Sequence, residues 1–388
     1  MHTIPRYRCD MQRSRVYVDS GGAAPLSDRV TDALRAGFAD GWADPARLGA
    51  EARRARALVD GSREAIAEAL GARPELVHFT ASPHAAFERA IAGIHAARRG
   101  RHRILVSAIE RDALANAAAF VAPQAVESID VDREGHVSIE HLSAALLSGD
   151  VTLTAVQHAN QELGTVQRLE DVARATQASS VPLLVDATSS IGHIDPPAYW
   201  DALVAHPADW GGPAGIGVLA LEPHTRWLPA WPEGDDWAPG GICVPLALAS
   251  AVALQERDEA RQREGARLAA LVDRIRAKAA EIAGVDVLGD PRERLPHVVT
   301  FSCLYVDGEV LLDELDRRGF AVGSGSACVS GTLEPSRVLA AVGALTHGNV
   351  RVALHPGITE QDVDRFLINL PDALDAVRSR IGAPHIAS

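Results

Sequence analysis

From Val77 to Leu221 the chain alternates short apolar runs with stretches of helical period, and this alternation restricts its fold more than any other feature. Val77 to Thr80, Arg103 to Ser107, Val151 to His158 and Pro182 to Asp186 read as strands. Between them, the stretch opened by A-S-P-H-A-A and running to about His95, then Arg111 to Val121 and Leu169 to Gln177, read as helices. Strands alternating with helices over such a length indicate a parallel or mixed sheet covered by helices. Ligands in such folds sit at the carboxyl ends of the strands, where the loops after Thr80, Asp186 and Val204 converge.

The loop V-A-H-P-A-D-W-G-G-P-A-G-I-G, Val204 to Gly217, joins two further apolar strands, W-D-A-L-V-A-H before it and V-L-A-L after it. Its glycines permit φ > 0 and close backbone approach, and its prolines preset φ. Taken alone, the loop reads equally as a plain hairpin or as a rigid seat for a functional side chain. Outside this region, Arg15 to Asp19 reads as a strand, Asp28 to Phe38 as a helix, and Ala46 to Leu70 as an amphipathic helix ended by Gly71. A long helix, Leu246 to Ile282, then links to a β-α-β-α tail. In that tail His297 to Cys303 and Val350 to Leu354 are strands, Gly308 to Arg318, Glu334 to Val342 and Thr359 to Val377 are helices, and Val322 to Cys328 is a Gly/Ser loop. The expected division is a large domain over 15–250 and a small α+β domain over 1–14 and 251–388.

A net charge of −13 argues against a general nucleic-acid binder, which needs a basic surplus to displace counterions from phosphates. Arginine supplies almost all the positive charge, and Lys278 is the only lysine. Cys9, Cys243, Cys303 and Cys328 are widely spaced, which suits neither a disulfide framework nor a zinc site. His193, His206 and His224 lack metal-ligand spacing, so no metal is assigned. No apolar run is long enough to cross a membrane and the start has no signal-like h-region, so a cytoplasmic protein with reduced thiols is expected. Trp227, Trp231 and Trp237 read as packing beneath a loop rather than as a binding surface.

Several motifs appear in a telling order. They are Y-V-D near the start, A-R-L-G-A-E-A-R-R-A-R opening the long helix, F-T-A-S at 79–82, H-A-N-Q-E-L-G-T at 158–165, L-V-D-A-T at 184–188, S-G-S-A-C-V-S-G-T-L-E-P-S-R-V-L at 324–339 and N-V-R-V-A-L at 349–354. From about Val16 to Val377 the chain resembles the cysteine desulfurases, in the class V aminotransferase branch of the fold-type I pyridoxal-phosphate enzymes. The resemblance implies a mainly parallel seven-stranded sheet between helices, plus a small α+β C-terminal domain. It also implies a homodimer, an amino-acid substrate and a sulfur-acceptor protein. Cys328 matches the persulfide-forming cysteine, Asp186 the carboxylate that pairs with the pyridine nitrogen, and Arg351 the arginine that grips the substrate carboxylate. From the residues alone, Asp186 also fits a turn cap, Arg351 a surface ion pair and Cys328 a small buried residue.

The chain departs from the resemblance where the cofactor is held. The family's lysine motif, Ser-x-His-Lys-x-x-Gly-Pro-x-Gly, aligned back from Gly212-Pro213, puts Asp209 at the lysine, with His206 and Ala208 at the serine and histidine. A two-residue insertion puts Pro207 there instead. Neither side chain forms an imine. Arg111 replaces the histidine that stacks on the ring, His84 a phosphate-binding threonine, Gln161 an asparagine near the ring hydroxyl, and Ser189 a glutamine, while Thr80 stays in its F-T-A-S context. P-G-G-I-C-V-P at 239–245 offers no counterpart to the Gly-Thr phosphate contact from the second subunit.

Three functions fit this pattern. In the first, a divergent sulfur-transfer protein uses a persulfide on Cys328, with pyridoxal phosphate absent or held without a covalent bond. The second is a non-catalytic scaffold or regulatory partner. The third is a lysine-independent enzyme acting on preformed pyridoxal or pyridoxamine phosphate, with Asp209 or His206 as base.

Overall fold

The computed structural model describes residues 15–228, 241–325, 336–380 and 382. The chain opens with β1 (Val16–Tyr17), α1 (Asp28–Asp40) and α2 (Ala50–Leu70). The alternating region is β2 (Val77–Thr80), α3 (Pro83–Ala96), β3 (Arg103–Ser107), α4 (Asp112–Val121), β4 (Val126–Ile129), α5 (Ile139–Leu146), β5 (Val151–Gln157), α6 (Leu169–Ala178), β6 (Leu183–Asp186), β7 (Ala202–Ala205) and β8 (Gly217–Leu221). Beyond it lie α7 (Val244–Ala280), β9 (Val285–Val287), β10 (Val298–Cys303), α8 (Gly308–Arg317), β11 (Phe320–Ala321), α9 (Arg337–Ala341), β12 (Asn349–Ala353) and α10 (Glu360–Arg380).

The large sheet has seven strands in the order β2-β8-β7-β6-β5-β3-β4. From β7 to β4 neighbouring strands are parallel, and β8 runs antiparallel to both β7 and β2. The two-residue period of a strand divides its side chains between two apolar layers. Leu105, Val156, Val185, Leu203 and Val218 enter one core cluster, with α1, α2 and the start of α7. Ile104, Leu153, Leu184, Val204 and Leu219 enter the other, with α3 and α4. Both faces are therefore covered, as a parallel sheet requires. Such burial is why β5 to β8 read as near-continuous apolar runs.

Helix α7 serves two cores. Its residues Val244 to Leu254 pack in the first cluster, and Leu268 to Ala279 pack with Phe301, Phe320, Phe366, Val16 and Val18 in another. There β12, β10 and β9 form an antiparallel sheet, and β1 pairs with β11. One expected boundary moves: residues 46–49 precede α2, because Gly49 is its extended N-cap at φ −63° and ψ 166°. The long helix ends at Gly71 with φ 68°, the left-handed cap read from the sequence.

Candidate active site

Strand β6 ends on Asp186, level with Gln157 of β5 and Val204 of β7, at the carboxyl edge of the sheet. Asp186 is buried at 2% exposure. Its Oδ1 accepts from the Thr188 backbone N–H at 2.9 Å and the Thr188 hydroxyl at 2.6 Å. Its Oδ2 accepts from Arg111 Nε at 2.6 Å. A second guanidinium nitrogen, Nη2, donates to the Ser189 hydroxyl at 3.0 Å. Arg111 is the N-cap of α4, so the loop after β3 delivers its side chain across the sheet edge. Burial works against the guanidinium charge, but Asp186 and then Asp209 outweigh it and raise the pKa above the ordinary value.

Asp209 lies in a single 3-10 turn, Pro207–Trp210, between β7 and β8. The turn closes on Gly211 at φ 89°, a left-handed position that favours glycine. Gly217, at the end of the loop, has no room for a side chain: a Cβ there would lie 2.5 Å from the Ser82 carbonyl carbon. Asp209 is 8% exposed, and its carboxylate is 2.8 Å from His206 Nδ1. His193 Nε2 donates to the Asp209 carbonyl at 2.8 Å, and the His193 ring stacks on His297 at 3.6 Å. Burial, and then the charge of Arg257, push the His193 pKa down to about 3, so that ring is neutral.

Among the described residues no amine approaches this turn. Arg257 of α7 contacts the Trp210 carbonyl, whereas Lys278 lies twenty-one residues further along the same helix, roughly 30 Å at 1.5 Å per residue. Lys278 is exposed, pairs with Glu281 at 2.9 Å and lies beside Asp364 and Asp372 of α10.

The remaining expected positions divide. Thr80 is buried at the end of β2, opposite Gly217, with its hydroxyl donating to the Ser82 carbonyl at 2.7 Å. Ser82 caps α3 by accepting from Ala85 N at 3.2 Å, and Pro83 removes one N–H donor from that terminus. His84 is exposed in the first turn of α3. Gln161 is partly buried, and its Oε1 has no hydrogen-bond partner among the described residues. Arg351 on β12 donates from Nη2 to Asp19 Oδ1 at 2.8 Å, while its buried Nε has no partner among the described residues. Its backbone pairs with Gly323, which leads towards the Cys328 loop. Cys328 itself lies outside the described residues, as do Cys9, Trp231 and Trp237. Trp227 packs against the third core cluster and donates to the Arg89 carbonyl at 3.0 Å, a packing role.

Glu110 joins the site without having been singled out from the sequence. It is 1% exposed; Oε1 accepts from Gln157 N at 2.8 Å, and Oε2 has no hydrogen-bond partner among the described residues. Burial and then the nearby Asp186 charge raise its pKa to about 8, so it carries a proton near neutrality. Its neighbour Arg111 was identifiable by alignment, but only the folded chain brings a buried glutamate and Asp186 together. Among the other thiols, buried Cys303 is pushed up to about 12 and is inert, whereas Cys243 is exposed.

The arrangement joins Arg111, Asp186 and Ser189 directly, with Asp209 near enough to act on the same charge. Comparison with known proteins gives this geometry a family. The sequence model described as Aminotransferase class-V matches residues 16–236 and 240–366. Cysteine desulfurase IscS 1 of Archaeoglobus fulgidus is 31% identical over 94% of this chain and 98% of its own length. Cysteine desulfurase NifS of Azotobacter vinelandii is 27% identical over 94% of each chain. A solved NifS-like protein of Rickettsia africae superposes with a TM-score of 0.83 at 20% identity, over 93% of this chain and 99% of its own, and shares the fold. The chain belongs to the aminotransferase class-V family and is a homologue of the cysteine desulfurases.

Proposed function

We propose that this protein transfers sulfur through a persulfide on Cys328 and works without a lysine-bound cofactor. Similarity to the cysteine desulfurases supports the sulfur transfer, and the Arg111–Asp186 ion pair at 2.6 Å supports its working without the bound cofactor. By family resemblance, Asp186 is the carboxylate expected to meet a pyridine nitrogen. Here both of its oxygens are engaged from within the chain. Pyridoxal phosphate does not fit this arrangement. Arg111 takes the carboxylate, the alignment puts Asp209 rather than a lysine at the imine position of the motif, and Pro83 withdraws a backbone donor from the α3 terminus. The third reading, with Asp209 or His206 as base, is weakened by the same facts, since a base there has work only if the cofactor is bound.

Sulfur then reaches the protein already as sulfane sulfur. The Cys328 thiolate attacks the outer sulfur of a low-molecular-weight or protein persulfide, R–S–S–H. A new S–S bond forms at Cys328, the donor S–S bond breaks, and R–S⁻ leaves and takes a proton. The exchange is redox-neutral and needs no electron sink. A homodimer that passes this sulfur to an acceptor protein is the form expected from the family. The same ion pair also supports the scaffold reading, in which no sulfur is carried.

The deciding experiment incubates the protein with glutathione persulfide and maps the added sulfur by peptide mass spectrometry, comparing wild type with C328S. One extra sulfur on the Cys328 peptide, absent in C328S, is the expected result. Loading at exposed Cys243 alone, or none, removes the sulfur-transfer reading and leaves the scaffold.

A further inference from the structure

A cavity of about 520 Å³ lies behind the turn that bears Asp209, between residues 25–30, Trp210–Gly211, helix α7 and His355 to Gly357. That volume is in the range of small-molecule pockets. Asp186, Arg111, Ser189 and Arg351 do not line it.

Its wall holds two opposite charges without ion-pair partners. Arg257 is fixed by a hydrogen bond from Nε to the Trp210 carbonyl at 3.0 Å, and no carboxylate among the described residues lies within ion-pairing distance. Its neighbours differ. Arg261 pairs with Asp195 and Asp258, and Arg267 with Glu264. Burial pushes the Arg257 pKa down to about 10, against the opposing pull of the Glu256 and Glu264 charges, neither of which is close enough to form an ion pair with it. Glu256 is the counterpart. It has no cation within ion-pairing distance among the described residues, and its Oε2 accepts only the Ser27 hydroxyl, at 2.6 Å. Leu26, Val30 and Leu268 supply an apolar wall between the polar groups.

We propose that this cavity binds a small zwitterion, an α-amino acid with a compact apolar side chain, its carboxylate on Arg257 and its ammonium on Glu256. A simple anion would face Glu256, and a simple amine would face Arg257. Only a ligand with both charges satisfies the wall. Because His193 of the same wall holds the Asp209 carbonyl, the ligand would touch the back of the turn that bears Asp209. The proposal stands independently of the sulfur-transfer reading.

The test is titration calorimetry of the full-length protein with L-leucine, 4-methylpentanoate (carboxylate only) and 3-methylbutylamine (amine only). L-Leucine is expected to bind at least about tenfold more tightly than either single-charge analogue, the worth of one hydrogen bond to a charged group. R257M should abolish leucine binding, E256Q should erase the preference for leucine over 4-methylpentanoate, and R351A should leave binding unchanged. E256Q, on a partly exposed position, keeps the test alive should R257M fail to fold. Absence of leucine binding, equal binding of 4-methylpentanoate, or loss of binding in R351A but not in the cavity variants overturns the proposal.

Discussion

Removal of the Arg111 guanidinium measures how far the ion pair holds this site together. In R111M the Asp186 carboxylate, 2% exposed, keeps its two Thr188 bonds but loses the one cation within ion-pairing distance among the described residues. Stripping one partner from a buried pair costs about 3–5 kcal/mol. The Arg111 side chain is 22% exposed, so water reaches the gap and the lower end, about 3 kcal/mol, applies. At about 2.1 cal/mol/K per residue, a two-state unit of 388 residues would lose about 4 °C in Tm. The penalty belongs to an orphaned charge, so R111M/D186N should recover much of it, which a purely additive loss of packing would not do. Differential scanning calorimetry of wild type, R111M, D186N and the double variant provides the assay. An unchanged Tm in R111M, or a double variant that falls by the sum of the singles, would refute the reasoning.

Other outcomes follow from the buried groups. Because the Glu110 pKa is raised to about 8 in the fold, its contribution to stability is full below the unfolded carboxylate range and is lost as pH rises towards 8. Denaturant titrations from pH 5 to 8.5 should therefore show a stability decline in wild type that E110Q flattens. His193 behaves in the opposite sense: its lowered pKa makes its contribution intact above about 6.5 and lost as pH falls towards 3. Acid unfolding followed by circular dichroism should shift to lower pH in H193Q, and no shift would mean the ring is not held neutral. G217A places a methyl against the Ser82 backbone and should destabilise by about 1–3 kcal/mol, since neither β8 nor the start of α3 can move away without disturbing its own packing. Unaltered urea unfolding would show that this close approach is not rigid.

The large sheet was legible because strands buried on both faces keep their apolar identity whatever their neighbours. β5 and β6 announce themselves this way. Elements that rely on tertiary context did not. V-E-S-I of β4 is a half-exposed edge strand, and V-D-V of β9 is three residues paired to β10. Helix α5 stayed hidden because its eight residues give barely two turns of periodicity. At the site, motif order located Asp186, Ser189 and Arg111 one by one. Their union was not legible, because residue spacing does not say that a side chain from the start of α4 will reach a carboxylate at the end of β6. Glu110 was missed for the same reason: its chemistry comes wholly from burial beside Asp186.

The claim that the site is closed to the family's cofactor is tested most directly by mass and absorbance. Wild-type protein is incubated with pyridoxal phosphate and passed through gel filtration, its visible spectrum is recorded, and only then is it reduced with borohydride and weighed intact. The account predicts a colourless protein of unmodified mass, and a visible band with a pyridoxyl adduct at the new lysine in D209K/R111H. Pyridoxal phosphate retained one per chain by the wild type would contradict it.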